Sequence, residues 1–354
     1  MSRKVVHLVY SFGVGGLERV IANLVSNSNR GEVEHIIVTE IDDHSFAHQV
    51  PPETRFYCID KKQGLDFGAH RRLYRLLKTI NPDVLHTYNF GVLEYQITAA
   101  LAGVRVRVHA DHGRQSSYQK IENPYKYELF RRFVARFLTY YVVVSQDLYD
   151  WARERLKLSS PKLNLVFNGI DLAQFRPLAP RQPLQGAEAI SFVTIGRLVD
   201  VKNHRLLINA FALAQTQSEE FARKARLRIV GDGPLMNELQ GLVNDLNLAE
   251  VELLGARTDI PNILQRSDVF VLSSKYEAQP MTLLEAMASE LPAICTNVGG
   301  ISSVINAQRN GLLVESENTE MLAGALLKAL TEPDTMYAMA KQGAADVAEK
   351  FSVQ

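Results

Sequence analysis

Short apolar runs alternate with longer amphipathic stretches along the whole chain. In the first half, runs rich in β-branched residues fall at 5–10, 35–40, 83–87, 104–109 and 140–144, each the length of one strand. Between them apolar positions recur at helical spacing, as from Leu17 to Val25 and from His70 to Ile80. The pattern breaks from Leu172 to Ala189, where Pro177, Pro180, Pro183 and Gly186 interrupt any periodicity. It then restarts with Ser191–Ile195, Leu227–Val230, Val251–Leu254, Asp268–Leu272 and Pro292–Thr296. Strands alternating with helices predict parallel α/β sheets. The expected organisation is an α/β domain over 1–171, a linker over 172–189 and a second α/β domain over 190–354, with no short-period repeat.

Composition narrows the function classes. The 354 residues are 46% hydrophobic and 22% charged, ordinary for a globular protein. Lys+Arg and Asp+Glu are 39 each, which argues against a strongly basic nucleic-acid binder. Two cysteines, Cys58 and Cys295, exclude a disulfide scaffold and a four-cysteine zinc site. No run approaches the roughly 20 apolar residues that cross a bilayer, and the apolar run after Lys4 is too short for a signal peptide. These features predict a soluble protein of a reducing compartment, the cytoplasm.

The zero net charge hides an asymmetry. Residues 1–172 hold 23 basic against 18 acidic side chains, and residues 173–354 hold 16 against 21. The basic excess gathers at Arg71, Arg72, Arg75 and Lys78, and again at Lys120, Lys126, Arg131, Arg132 and Arg136, the latter among Tyr125, Phe130, Phe133 and Phe137. One reading is solvated helix faces. The other is peripheral contact with an anionic membrane, which would hold the protein at the inner face of the cytoplasmic membrane.

Three segments carry candidate chemistry. The first strand runs into Gly13-Val14-Gly15-Gly16-Leu17-Glu18 and then a helix. A glycine turn at a helix N-terminus lets backbone N–H groups approach a phosphate. A nicotinamide-type G-x-G-x-x-G is spoiled by Glu18 in the third slot. Arg197 and Lys202, in Gly196-Arg197-Leu198 and Lys202-Asn203-His204, follow a strand and precede a helix, where open α/β sheets bind ligands. A fork-shaped guanidinium with a point-charge ammonium suits a diphosphate. Finally, Glu277 and Glu285 bracket the start of a helix, with Gln279, Pro280, Met281 and Thr282 at its N-terminus. A carboxylate so flanked suits hydroxyl recognition, and the free amides suit an anion.

With these motifs the chain resembles the family-4 retaining glycosyltransferases of the GT-B fold, the bacterial polysaccharide and glycolipid type. The resemblance rests on Gly15-Gly16-Leu17-Glu18, Val142–Ser145, Phe167–Asp171 with Phe175 and Pro177, Gly196–Leu198 with Lys202-Asn203, Gly231–Pro234, Glu277 to Glu285, and Gly299-Gly300. It implies two Rossmann-like domains with parallel sheets facing across a cleft. It implies that Arg197 and Lys202 hold the donor diphosphate, and that the turn at Gly15 and Gly16 meets the distal phosphate. Glu285 would bind the ribose, Glu277 the donor sugar, and the amides around Gln279, Pro280 (no N–H itself), Met281 and Thr282 would help hold the sugar. His112, in His109-Ala110-Asp111-His112-Gly113-Arg114, best matches the active-site histidine, with His109 the rival. The expected reaction retains anomeric configuration and needs no metal or other cofactor. The donor is a UDP-sugar first and GDP-mannose next; the acceptor is a saccharide or lipid-linked saccharide. Alternatives are a nucleotide-sugar epimerase of the same architecture and a non-catalytic nucleotide-sugar-binding partner. Two departures from the family pattern are Ala278, where glycine is usual, and a chain that stops at Phe351–Gln354, where a crossing helix would begin.

Overall fold

A computed structural model of the chain describes residues 2–29, 31–113, 124–184 and 186–353. Two compact units form, Met1–Asn168 and Gly169–Gln354.

The first unit is built on a seven-stranded parallel sheet of order β3-β2-β1-β4-β5-β6-β7. Its strands are β1 (Arg3–Val9), β2 (Val33–Thr39), β3 (Arg55–Cys58), β4 (Val84–Tyr88), β5 (Val106–Asp111), β6 (Tyr140–Val143) and β7 (Leu163–Leu165). Its helices are α1 (Gly16–Asn27), α2 (Phe67–Ile80), α3 (Tyr95–Ala102), α4 (Pro124–Ala135) and α5 (Gln146–Arg155). The period-2 alternation divides the sheet into two faces. Val6, Leu8, Ile36, Val38 and Leu85 pack with Leu73, Leu77 and Tyr95 of α2 and α3. Val9 and Ile37 pack with Ile21, Ala22 and Val25 of α1. The order reverses between β1 and β4, so the glycine turn lies at the switch point, where such sheets bind ligands.

Helix α2 carries one basic cluster. Leu73, Leu77 and Ile80 are buried, while Arg71, Arg72, Arg75 and Lys78 are exposed, so the apolar stripe is spent on the core. Helix α4 corrects the other cluster. Arg131 is 1% exposed, not a surface cation. Its Nη1 donates to Asp111 Oδ2 at 2.5 Å and to the Tyr141 hydroxyl at 2.9 Å. The helical period turns Arg131 and Val134 inward while Tyr125, Leu129 and Phe133 stay exposed. Lys126 and Arg136 are exposed too, Arg132 is half-buried, and Lys120 and Arg114 lie outside the described residues.

The second unit carries a six-stranded parallel sheet of order β10-β9-β8-β11-β12-β13. The strands are β8 (Ile190–Ile195), β9 (Ala225–Val230), β10 (Val251–Gly255), β11 (Val269–Leu272), β12 (Ala293–Thr296) and β13 (Leu312–Val314). The helices are α6 (His204–Gln217), α7 (Glu219–Lys224), α8 (Met236–Asp245), α9 (Ile260–Gln265), α10 (Met281–Ala288), α11 (Thr319–Thr331) and α12 (Pro333–Lys350). All four residues of β11 are buried, as both faces of a central parallel strand require.

The stretch read as a linker runs with this unit. The Arg181 guanidinium donates to the carbonyls of Ser289, Ser267 and Leu264 at 2.7–2.9 Å. Ile170 donates to the Phe351 carbonyl at 2.7 Å and accepts from the Val353 N–H at 3.1 Å. A Cβ at Gly169 would meet Val353 Cγ1 at 2.7 Å, so any larger residue there would require the Val353 side chain to shift. Among the described residues no helix is long and apolar enough to cross a membrane.

Candidate active site

The second unit assembles most of the predicted donor residues at the carboxyl ends of β8 and β11. After β8 the chain turns through Gly196-Arg197-Leu198, held by Gly196 N–H to the Val230 carbonyl and Leu198 N–H to the Asp232 carbonyl, both 2.9 Å. A Cβ at Gly231 would come within 1.9 Å of the Gly196 carbonyl oxygen, and Gly231 has φ +145°. Glycine is therefore obligatory where the two loops touch. Arg197 leaves this turn exposed to solvent. A short 3₁₀ turn, Asp200–Lys202, brings Lys202 back over Gly196, where a Cβ would make ordinary van der Waals contact with the lysine stem at 3.6 Å.

Lys202 Nζ lies 2.5 Å from Glu277 Oε1. The Ser274 hydroxyl donates to the same oxygen at 2.7 Å. Both side chains of the ion pair are largely covered, with relative exposures of 19% and 10%. The supporting loop is tied down on both sides. Lys275 N–H donates to the Val201 carbonyl at 2.8 Å, its Nζ pairs with Asp200 at 2.9 Å, and Ser273 Oγ donates to the Asn203 carbonyl at 3.0 Å. The Glu277 carbonyl accepts from Gly300 N–H at 2.8 Å. A Cβ at Gly299 would meet that carbonyl oxygen at 2.1 Å. The Gly299-Gly300 turn is thus part of what fixes Glu277.

Ala278 is buried and is not among the residues with positive φ, so alanine sits there without backbone strain. Helix α10 starts immediately after. Gln279, Pro280 and Met281 are buried and Thr282 is half-buried. The N–H groups of Leu283 and Leu284 close on the Pro280 carbonyl at 3.2 and 3.5 Å; those of Met281 and Thr282 have no carbonyl of their own helix to bond. Glu285 is 4% exposed on the second turn, between buried Leu284 and Ala286.

The first unit holds the remaining predicted residues. Gly15 is the N-cap of α1, with Gly16 its first residue. The Glu18 carboxylate folds back over the turn, where a Cβ on Gly15 would meet Oε2 at 2.3 Å. His112 follows β5, its N–H donating to Asn89 Oδ1 at 2.8 Å. Burial pushes its pKa down to about 4, against the pull of the Asp111 carboxylate, so the ring is neutral at pH 7. His109 is fully buried on the other face of the sheet, its Nδ1 2.8 Å from Thr87 Oγ1 and its Nε2 3.5 Å from Asp111.

Sequence reasoning missed Ser274, Lys275 and Asp200, which orient the central pair. Their only signal was adjacency to it. It also missed a ladder of His7, His35, His86 and Tyr88 beneath α1, where alternation alone would call for apolar side chains. Among the described residues no group of three or more His, Cys, Asp or Glu side chains is arranged to hold a metal ion.

Comparison with known proteins decides the family. The family model described as Glycosyltransferase Family 4 matches residues 14–174, and that described as Glycosyl transferases group 1 matches residues 176–346. The chain belongs to glycosyltransferase family 4. This family-4 chain is 31% identical over 326 residues to the Escherichia coli UDP-Gal:alpha-D-GlcNAc-diphosphoundecaprenol alpha-1,3-galactosyltransferase, covering 88% of the chain and 82% of that protein. It is 26% identical over 363 residues to the Campylobacter jejuni N-acetylgalactosamine-N,N'-diacetylbacillosaminyl-diphospho-undecaprenol 4-alpha-N-acetylgalactosaminyltransferase, covering 97% and 94%. Among solved structures, Anabaena HepE in complex with UDP-glucose superposes with a TM-score of 0.83 at 20% identity, over 99% of this chain and 96% of that one. The two parallel-sheet units of seven and six strands are those of the GT-B fold.

Proposed function

We propose that this glycosyltransferase is a retaining enzyme that moves a sugar from a UDP-sugar to a saccharide or lipid-linked saccharide. The observation that carries the reading is the covered Lys202–Glu277–Ser274 cluster beside the N-terminus of α10. Displacement at an anomeric carbon is fast only if negative charge growing on the departing diphosphate meets fixed positive groups. Lys202 and Arg197 supply cations, and the Met281 and Thr282 amides supply oriented dipoles. Glu277, freed from Lys202 as the diphosphate takes over the ammonium, turns its oxygens to the sugar hydroxyls. Glu285 accepts hydrogen bonds from the ribose. In the first unit the amide of Gly16 meets the distal phosphate, which requires the Glu18 carboxylate to leave the glycine turn. His112, neutral at pH 7, faces the acceptor side of the reacting sugar.

The cations and amides carry the leaving-group charge without a metal in this proposal. The leaving phosphate assists removal of the acceptor proton on the same face of the sugar, so configuration is retained. The UDP preference is supported by HepE, solved with UDP and with UDP-glucose. A lipid-linked acceptor is supported by the relatives whose names specify undecaprenol-linked saccharides. Such an acceptor puts the reaction at the cytoplasmic face of the membrane. The exposed stripe of Tyr125, Leu129 and Phe133 with Lys126 and Arg136 suits an anionic surface there.

The test supplies a polyprenyl-diphosphate saccharide in anionic vesicles and screens UDP- and GDP-sugars. The reading predicts release of UDP and an α-linked glycoside from an α-linked donor, with vesicle association weakening as salt rises. Epimerised donor formed without acceptor, or donor binding without any glycoside, would replace it with an alternative.

A further inference from the structure

The ladder beneath α1 forms one continuous hydrogen-bonded line through the first unit. Ser28 Oγ donates to the Val25 carbonyl at 3.0 Å. His35 Nε2 lies 2.8 Å from Ser28 Oγ, His35 Nδ1 2.8 Å from His7 Nε2, His7 Nδ1 2.7 Å from the Tyr88 hydroxyl, and that hydroxyl 2.9 Å from His86 Nδ1. His7 and His86 are direct cross-strand partners on β1 and β4. His7 and Tyr88 are buried, at 0% and 3% exposure. His35 and Ser28 are half-buried at the outer end. At the inner end His86 Nε2 is buried without a hydrogen-bond partner among the described residues.

A neutral imidazole has one N–H and one lone pair, so each link constrains the next. The Ser28 proton is committed to Val25, so Ser28 must accept from His35 Nε2–H. His35 Nδ1 is then bare and accepts from His7 Nε2–H. His7 Nδ1 accepts from the Tyr88 hydroxyl, and Tyr88 accepts from His86 Nδ1–H. His86 Nε2 ends the line as a lone pair. A charge on His35 reverses every inner link. The His7 Nε2 proton crosses to His35 Nδ1, the Tyr88 proton to His7 Nδ1 and the His86 Nδ1 proton to the Tyr88 oxygen, while the one proton taken up binds His86 Nε2. His35 ends as the imidazolium and no proton leaves the line.

We propose that this line is a tautomer relay, in which a positive charge on half-buried His35 is coupled to conversion of His86 Nε2 from a bare lone pair into an N–H donor. The surroundings favour titration at His35. Burial, with the charge of His35 second, holds His7 neutral down to about pH 3. Burial, then His7, His112 and His109, holds His86 well below its ordinary value. Burial raises the Tyr88 hydroxyl well above its ordinary value. His35 is lowered by partial burial and, like His86, is half-buried rather than sealed from solvent. His112 is faced by Asp111, which favours its charged form, and by His109, which opposes it. His86 is linked to His112 through the Tyr88 ring, whose centroid lies 4.1 Å from that of His86 and 5.7 Å from that of His112. An effect on catalysis through this ring rests on the acceptor-side role proposed above, and the relay itself does not.

The test is a two-bond ¹H–¹⁵N correlation on the full chain with ¹⁵N-labelled histidine, assigned with His35→Gln and His86→Gln. At pH 8 the expected tautomers are Nε2–H for His35 and His7 and Nδ1–H for His86. On acidification His86 should switch to Nε2–H with the midpoint of His35, below 6.5. In Tyr88→Phe, which removes one oxygen, His35 should still titrate while His86 no longer follows. Resting tautomers of the opposite sense, a His86 midpoint independent of His35, or an unaltered response in Tyr88→Phe would each overturn the relay. The wild-type titration decides the matter even if Tyr88→Phe fails to fold. Turnover supplies a separate reading. His35→Gln should flatten the change in kcat/KM across the His35 midpoint; a profile that stays as in the wild type while the spectra behave as expected would count against the role of His112, not against the relay.

Discussion

Glu277 receives an ammonium proton from Lys202 and a hydroxyl proton from Ser274 on one oxygen. A carboxylate so held is oriented more firmly than a lone surface glutamate. The same contact means that a donor diphosphate competes with Glu277 for Lys202. Replacing Glu277 with Gln keeps the shape and removes the competing charge. UDP binding, measured by calorimetry, should stay at wild-type strength or tighten by up to about tenfold, since a charge-assisted hydrogen bond contributes ~1.5–3 kcal/mol and part is offset by solvent. Turnover should fall by ~10²-fold or more, as for loss of one preorganised charge contact in other enzymes. Weakened UDP binding with turnover preserved would separate Glu277 from the sugar. Arg131 shows where residue-level reading fails. It stands among exposed aromatic and basic neighbours, yet the helical period sends it to Asp111, and a buried partner on a distant strand leaves no local trace in sequence.

At the scale of elements, most of the architecture was legible because buried strands and amphipathic helices write their periods into the chain. The runs at 5–10, 35–40 and 83–87 correspond to β1, β2 and β4 within two residues. The strands left unread, β3, β7 and β13, are three or four residues long, too short for a period to repeat. The turns of the candidate site were legible because close approach excludes any Cβ, as at Gly231 and Gly299. The polar ladder was not, because hydrogen bonds across β1, β2 and β4 depend on register. That ladder has a thermodynamic consequence. His7 and His112 stay neutral in the fold down to about 3 and about 4 but take up protons near 6.5 once unfolded. Acid therefore favours the unfolded chain as pH falls from about 6.5 towards those values, by on the order of 5 kcal/mol for His7 and about 3 kcal/mol for His112. Glu40, raised by burial to about 7, acts in the opposite sense between 7 and 4.5, one group against several lowered histidines. The melting temperature should drop between pH 7 and pH 5, before most carboxylates titrate. A flat or rising profile over that window would show that the histidines are charged in the fold.

On the scale of the whole molecule, the family-4 assignment and the GT-B fold fix what kind of chemistry to expect, while the residues decide whether this chain can perform it. Ala278, where the family pattern has glycine, is buried without positive φ. The central claim is that a nucleoside diphosphate is gripped through Lys202. Its most direct test is Lys202→Ala, assayed for glycosyl transfer from a UDP-sugar beside a melting curve. The account predicts a melting temperature within a few degrees of wild type and turnover reduced by ~10²–10³-fold. A well-folded Lys202→Ala protein transferring sugar at near the wild-type rate would contradict it.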